Sequence, residues 1–110
     1  MSVAWFYLVL AGFFEWGWPI GLKFAWRHGQ FHAWPALGAL VSMALSGVFL
    51  FLAQRTIPVG TAYAVWTGIG AVGAFVLGML ILGEPVQAAR FVFVGLIVAG
   101  IVGLKLVSPS

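Results

Sequence analysis

The chain contains no cysteine and very little charge: 6% of its 110 residues are Asp, Glu, Lys or Arg. Without thiols there is no disulfide framework, no thiolate metal site and no cysteine nucleophile, and the redox compartment is left open. The shortage of charge excludes a soluble globule, whose surface needs about 25–35% charged residues. No phosphate-cradling Gly-Lys-Ser/Thr loop occurs, so the sequence offers no ATP-driven chemistry. The five cations, Lys23, Arg27, Arg55, Arg90 and Lys105, are scattered and face two acids, Glu15 and Glu84. That is not the basic patch nucleic acid requires, and no nucleic-acid partner is expected.

What is present is apolar: 64% of the residues are hydrophobic. A bilayer core about 30 Å thick takes roughly 20 apolar residues per spanning helix. Runs at about 3–22, 33–53, 58–82 and 86–107 predict an all-α membrane protein of four transmembrane helices, a single domain over 1–110. Arg90 and Lys105 lie inside the last run but reach the interface by snorkelling. The connections are short: a polar one around Phe24 to His32 with Gly29, and turns at Thr56-Ile57-Pro58 and Gly83-Glu84-Pro85. Trp5, Tyr7, Trp26 and Trp34 fall near helix ends and read as interface anchors. The first run lacks the basic leader and small-residue cleavage site of a signal peptide, so it is expected to be retained.

Orientation is barely encoded. Lys23, Arg27 and Arg90 fall on one side and Arg55 and Lys105 on the other, almost without positive-inside bias. A chain that inserts both ways up can pair antiparallel around a two-fold axis in the membrane plane, the symmetry on which many transporters alternate access.

Chemistry concentrates on Glu15. An ionised carboxylate at mid-helix costs at least a few kcal/mol, so intramembrane acids face a protein or water-filled interior and mark ion or substrate paths. The plainer alternative is a permanently protonated acid donating one hydrogen bond. Trp18, three residues on, shares its helix face and offers an indole N–H. Pro19 removes the donor that would bond the Glu15 carbonyl and predicts a kink there. Ser42 and Ser46, one turn apart, permit close helix approach as well as hydrogen bonding across helices. Tyr63 and Trp66 share a face and suit a cation, although ring pairs at this spacing also serve as plain packing. Gly68, Gly70 and Gly73 mark either a bend or a close backbone approach. Gly95, Ala99, Gly100 and Gly103 form a small-residue face, read as a dimer contact. Glu84 reads as a solvated turn residue, and the pair His28 and His32 lacks a third ligand, so no metal is expected.

These residues carry a resemblance. Glu15 followed by Gly21-Leu22-Lys23, then Ile57-Pro58-Val59-Gly60-Thr61-Ala62-Tyr63-Ala64-Val65-Trp66-Thr67-Gly68-Ile69-Gly70, Gly83-Glu84 and Gly103-Leu104-Lys105 resemble the small multidrug resistance family along almost the whole chain. Trp18, and Thr67-Gly68 after Trp66, resemble its guanidinium-exporter subtype more than its quaternary-ammonium subtype.

The resemblance implies an antiparallel, dual-topology dimer in the bacterial inner membrane, exporting a small organic cation. Proton and substrate would compete for Glu15, with protons as the coupling ion and no other cofactor. Trp18 and Ser46 would orient the acid, Tyr63 would switch partners as access changes, Trp66 would wall the site, and Gly68 and Gly70 would lie at a bend. A guanidinium presents a fork of donors matched to carboxylate geometry, which a quaternary ammonium lacks. Pro19 directly after Trp18, and a longer first connection, depart from the subtype. They suit either an unlike partner subunit in a heterodimer or a pocket open to substituted guanidines such as biguanides. The rivals are export of quaternary ammonium and polyaromatic cations, and a non-transporting assembly subunit.

Overall fold

In the computed structural model, which describes residues 2–107, the apolar runs are helical. In lipid each backbone N–H and C=O must be satisfied within its own segment, and helix is the open-chain solution. The elements are α1 (Val3–Glu15), α2 (Gly17–Ala25), β1 (Trp26–Arg27), β2 (Gln30–Phe31), α3 (Ala33–Ala53), α4 (Val59–Ile81) and α5 (Ala88–Val107). Among the described residues, four spans are long and apolar enough to cross a membrane: Val3–Ala25, Ala33–Ala53, Val59–Ile81 and Ala88–Val107. The chain is a multi-pass membrane protein.

The first span begins on Ser2, whose hydroxyl accepts the Trp5 N–H at 3.4 Å and satisfies one orphan donor of the first turn. It is interrupted at Trp16, three residues before Pro19, where the helical bonding of the Glu15 carbonyl is lost. Trp16 keeps helical dihedrals, φ −66° and ψ −31°, so α1 and α2 continue as one span. This span runs to Ala25 rather than to residue 22, because Lys23 sits in its last turn, where a cation favours the helix C-terminus.

The first connection is a β-hairpin, which the sequence did not reveal. Trp26 pairs with Phe31 and Arg27 with Gln30, and His28 and Gly29 make the two-residue turn. Their φ values of +55° and +72° are those of a primed turn, whose twist matches the flanking strands. At the far end of α4, Gly83 adopts φ +68° and returns the Glu84 N–H to the Gly78 carbonyl at 3.1 Å.

Trp5, Leu8, Ala53, Ile57, Ala62 and Val65 form the core, where the start of α1, the end of α3 and the start of α4 meet. Trp5 is therefore a core residue and not the expected interface anchor: it is 2% exposed, and the Lys105 ammonium lies 5.1 Å from its ring. Trp26 and Trp34 are exposed as expected of anchors. The α1–α2 span packs on α3 and α4, whereas α5 packs on α4 and contributes no buried residue.

Candidate functional site

Glu15 closes α1 and faces α4. Its side chain fits because residue 70 is glycine: a Cβ there would come within 2.6 Å of the Glu15 Cγ. The Trp18 indole N–H donates to Glu15 Oε1, joining the pair that the three-residue spacing predicted. Both residues line a cleft of about 240 Å³ with Pro19, Thr67, Gly70 and Ala71. A carboxylate accepts at up to four positions, and one indole satisfies only one of them, so Glu15 keeps capacity for a proton or a donor-rich cation.

The other expected site residues sit one turn away. The Ser46 hydroxyl, 1% exposed, donates to the Ala11 carbonyl at 2.7 Å and accepts the Trp66 indole N–H at 2.8 Å. A serine has one hydroxyl hydrogen, and here it is committed to Ala11, so Ser46 does not donate to Glu15 in this conformation. Its influence passes through the backbone, since the Ala11 carbonyl is the helical partner of the Glu15 N–H. Tyr63 meets Trp66 in a tilted pair, ring centroids 5.3 Å apart, but is 57% exposed and does not line the Glu15 cleft. Gly68 faces α5, where a Cβ would stand 2.7 Å from Ile101, and α4 runs helical through both Gly68 and Gly70. Ser42 lies against Gly17, where no side chain would fit.

Trp16 is the contact sequence reasoning missed. Its indole occupies the space a Gly73 side chain would need, and its N–H donates to the Ile69 carbonyl at 2.8 Å. Trp16 and Trp18 therefore flank the acid with different tasks: one ties the helix break to α4, the other holds the carboxylate. The available signal was Gly73, already a candidate for close approach, but which ring approached depended on the rotation of α1. Thr67 is a second such residue, lining the acid's cleft. His28 and His32 lie on the hairpin turn and just before α3, not one helical turn apart.

Four spans, with one acid beside an open cleft between the first span and α4, suit a small membrane transporter. The chain matches the family described as Small Multidrug Resistance protein over residues 3–97. It belongs to the small multidrug resistance protein family. Among its relatives, a Guanidinium exporter of Yersinia pseudotuberculosis is 52% identical over 106 residues, covering 96% of this chain and 100% of the relative. A Guanidinium exporter of Citrobacter freundii is 52% identical over 104 residues, covering 94% of this chain and 97% of the relative.

Proposed function

We propose that this protein exports small guanidinium-type cations in exchange for protons, with proton and cation competing for Glu15. The observation that carries the reading is the pairing of Glu15 with Trp18 beside an open cleft within a span. Relatives named guanidinium exporters support the substrate class. In a low-dielectric interior a bare carboxylate is costly, so it holds either a proton or a cation, and the arrival of one displaces the other. A planar guanidinium adds donors that Glu15 can accept while Trp18 keeps its own bond.

The working unit is an antiparallel homodimer in the bacterial inner membrane, supported by the near-balance of Lys and Arg between the two ends and by the small-residue face that α5 leaves open. The deciding experiment is guanidinium uptake into proteoliposomes containing this chain alone, with and without an outwardly directed proton gradient. Accumulation driven by the gradient is expected. Absence of transport by folded protein would overturn the self-sufficient antiporter, and preference for a quaternary ammonium compound over guanidinium would overturn the substrate class.

A further inference from the structure

At the opposite pole of the first span from the core, the hairpin builds a cavity that the transport reading does not use. It measures about 530 Å³ and lies between β1, β2 and the start of α3. Arg27, His28 and His32 line it with nitrogen donors, and Phe24, Phe31 and Trp34 line it with rings. We propose that this cavity binds the phosphate of an anionic phospholipid headgroup.

Position is the first argument. One span ends at Ala25 and the next starts at Ala33, so the hairpin between them lies at headgroup level on the membrane surface. Lipid phosphate is concentrated at that depth. Phe31 is 65% exposed and Trp34 82%, an apolar rim suited to the glycerol and upper acyl region.

Charge and geometry supply the second. No carboxylate lines the cavity among the described residues, which excludes it as a vestibule for the exported cation. Glu84, the acid at this end, borders an adjoining cleft that shares Arg27 and His28. The Arg27 guanidinium lies 4.6 Å from the centre of the Phe24 ring. Stacking engages the face of the guanidinium and leaves its in-plane N–H groups free, the fork that matches two phosphate oxygens. The pairing of Arg27 with Gln30, and the His32 N–H bond to the Ala25 carbonyl at 2.7 Å, place Arg27 and His32 on one face of the hairpin. Trp26 stands on the other face and does not line the cavity. A neutral imidazole still carries one N–H, so each histidine supplies a donor in either tautomer.

The test uses the full chain in detergent and native mass spectrometry against phosphatidylglycerol, phosphatidylcholine and inorganic phosphate. Phosphatidylglycerol is expected to bind at least about tenfold tighter than phosphatidylcholine, whose phosphate is the same but whose choline ammonium is repelled by Arg27. Arg27→Gln with His32→Gln should remove that preference, Arg27→Lys should reduce it, and Arg55→Gln at the other membrane face should leave it intact. Circular dichroism confirms that each variant is folded. Equal binding of the two lipids, or a preference that survives the double variant, would overturn the site. Displacement of phosphatidylglycerol by equimolar inorganic phosphate would overturn the lipid as its ligand.

Discussion

Helix α4 meets its two neighbours in opposite ways. Toward the first span glycines let side chains close in: Ile69 reaches Gly12, Glu15 reaches Gly70, and Trp16 covers Gly73 and bonds the backbone at Ile69. Toward α5 the contact is apolar, with Gly68 receiving Ile101 and Ile97. Beyond it, Gly95, Gly100 and Gly103 of α5 meet nothing within 4 Å. The first interface is completed within one chain and carries polar groups that would be costly to strand in lipid. The second presents small residues without a partner in the protomer, as expected of a face that a second copy covers.

The largest effect should come from the polar interface. Under the proposed exchange, Glu15→Gln removes the proton-binding group and is expected to lower gradient-driven guanidinium transport by at least about 100-fold, the loss of a charge-assisted pairing in a dry site. In the unmodified protein, guanidinium affinity should weaken as pH falls, because a protonated carboxyl no longer pairs with a cation. In Glu15→Gln the residual affinity should be flat with pH. Calorimetric titration of detergent-solubilised protein across the pH range measures both slopes, and a pH-dependent Gln variant would place the coupling site elsewhere.

Two glycine substitutions set the interfaces against each other. Gly73→Val drives a side chain into the Trp16 indole and should cost about 1–3 kcal/mol of protomer stability, the usual penalty of overpacking. Gly100→Leu enters open space and should leave helicity and protomer stability unchanged. Its effect should appear in assembly, with the proposed dimer dissociating at about tenfold higher protein-to-lipid ratio, equivalent to about 1.4 kcal/mol. Single-molecule photobleaching in liposomes distinguishes the two. A dimer unaffected by Gly100→Leu would move the contact off α5.

A smaller effect isolates the hydrogen bond from the packing. Trp16→Phe keeps a ring over Gly73 and loses the N–H that reaches the Ile69 carbonyl, which should cost about 0.5–1.5 kcal/mol, the net worth of one such bond. Unfolding in mixed micelles followed by tryptophan fluorescence measures it. A loss several times larger would mean that the ring itself is displaced.

The four spans and the acid were legible because they depend on local rules. Hydrocarbon demands long apolar runs, and a residue three positions from Glu15 lies on the same helix face whatever surrounds it. What could not be read depends on contacts far apart in sequence. Trp16 and Ile69 are separated by 53 residues, and nothing local states which tryptophan turns toward α4. Ser46 was expected on Glu15, but the rotation of α3 directs its one hydrogen to Ala11. Trp5 has the sequence position of an interface anchor, yet lies inside the core because the end of α3 and the start of α4 close over it. The hairpin strands are two residues each, too short for a period-two pattern, and His28 does not announce a positive φ as asparagine or glycine would.

The gentlest change concerns the helix break. Pro19 denies the Glu15 carbonyl a donor from residue 19, and the interruption at Trp16 lets that tryptophan lie over Gly73 while Trp18 stays with the acid. Pro19→Ala restores the N–H and favours an unbroken helix without removing any group that touches the cleft through a polar atom. Binding of guanidinium should therefore persist within about threefold, less than 1 kcal/mol. The exchange rate or the ranking of substituted guanidines should change, because the angle between α1 and α2 sets how Trp18 meets the carboxylate. Counterflow of labelled guanidinium against a series of alkylguanidines measures both quantities. An unchanged rate with an unchanged ranking would make the proline an element of packing, and the division of labour between the two tryptophans would then rest on Gly73 alone.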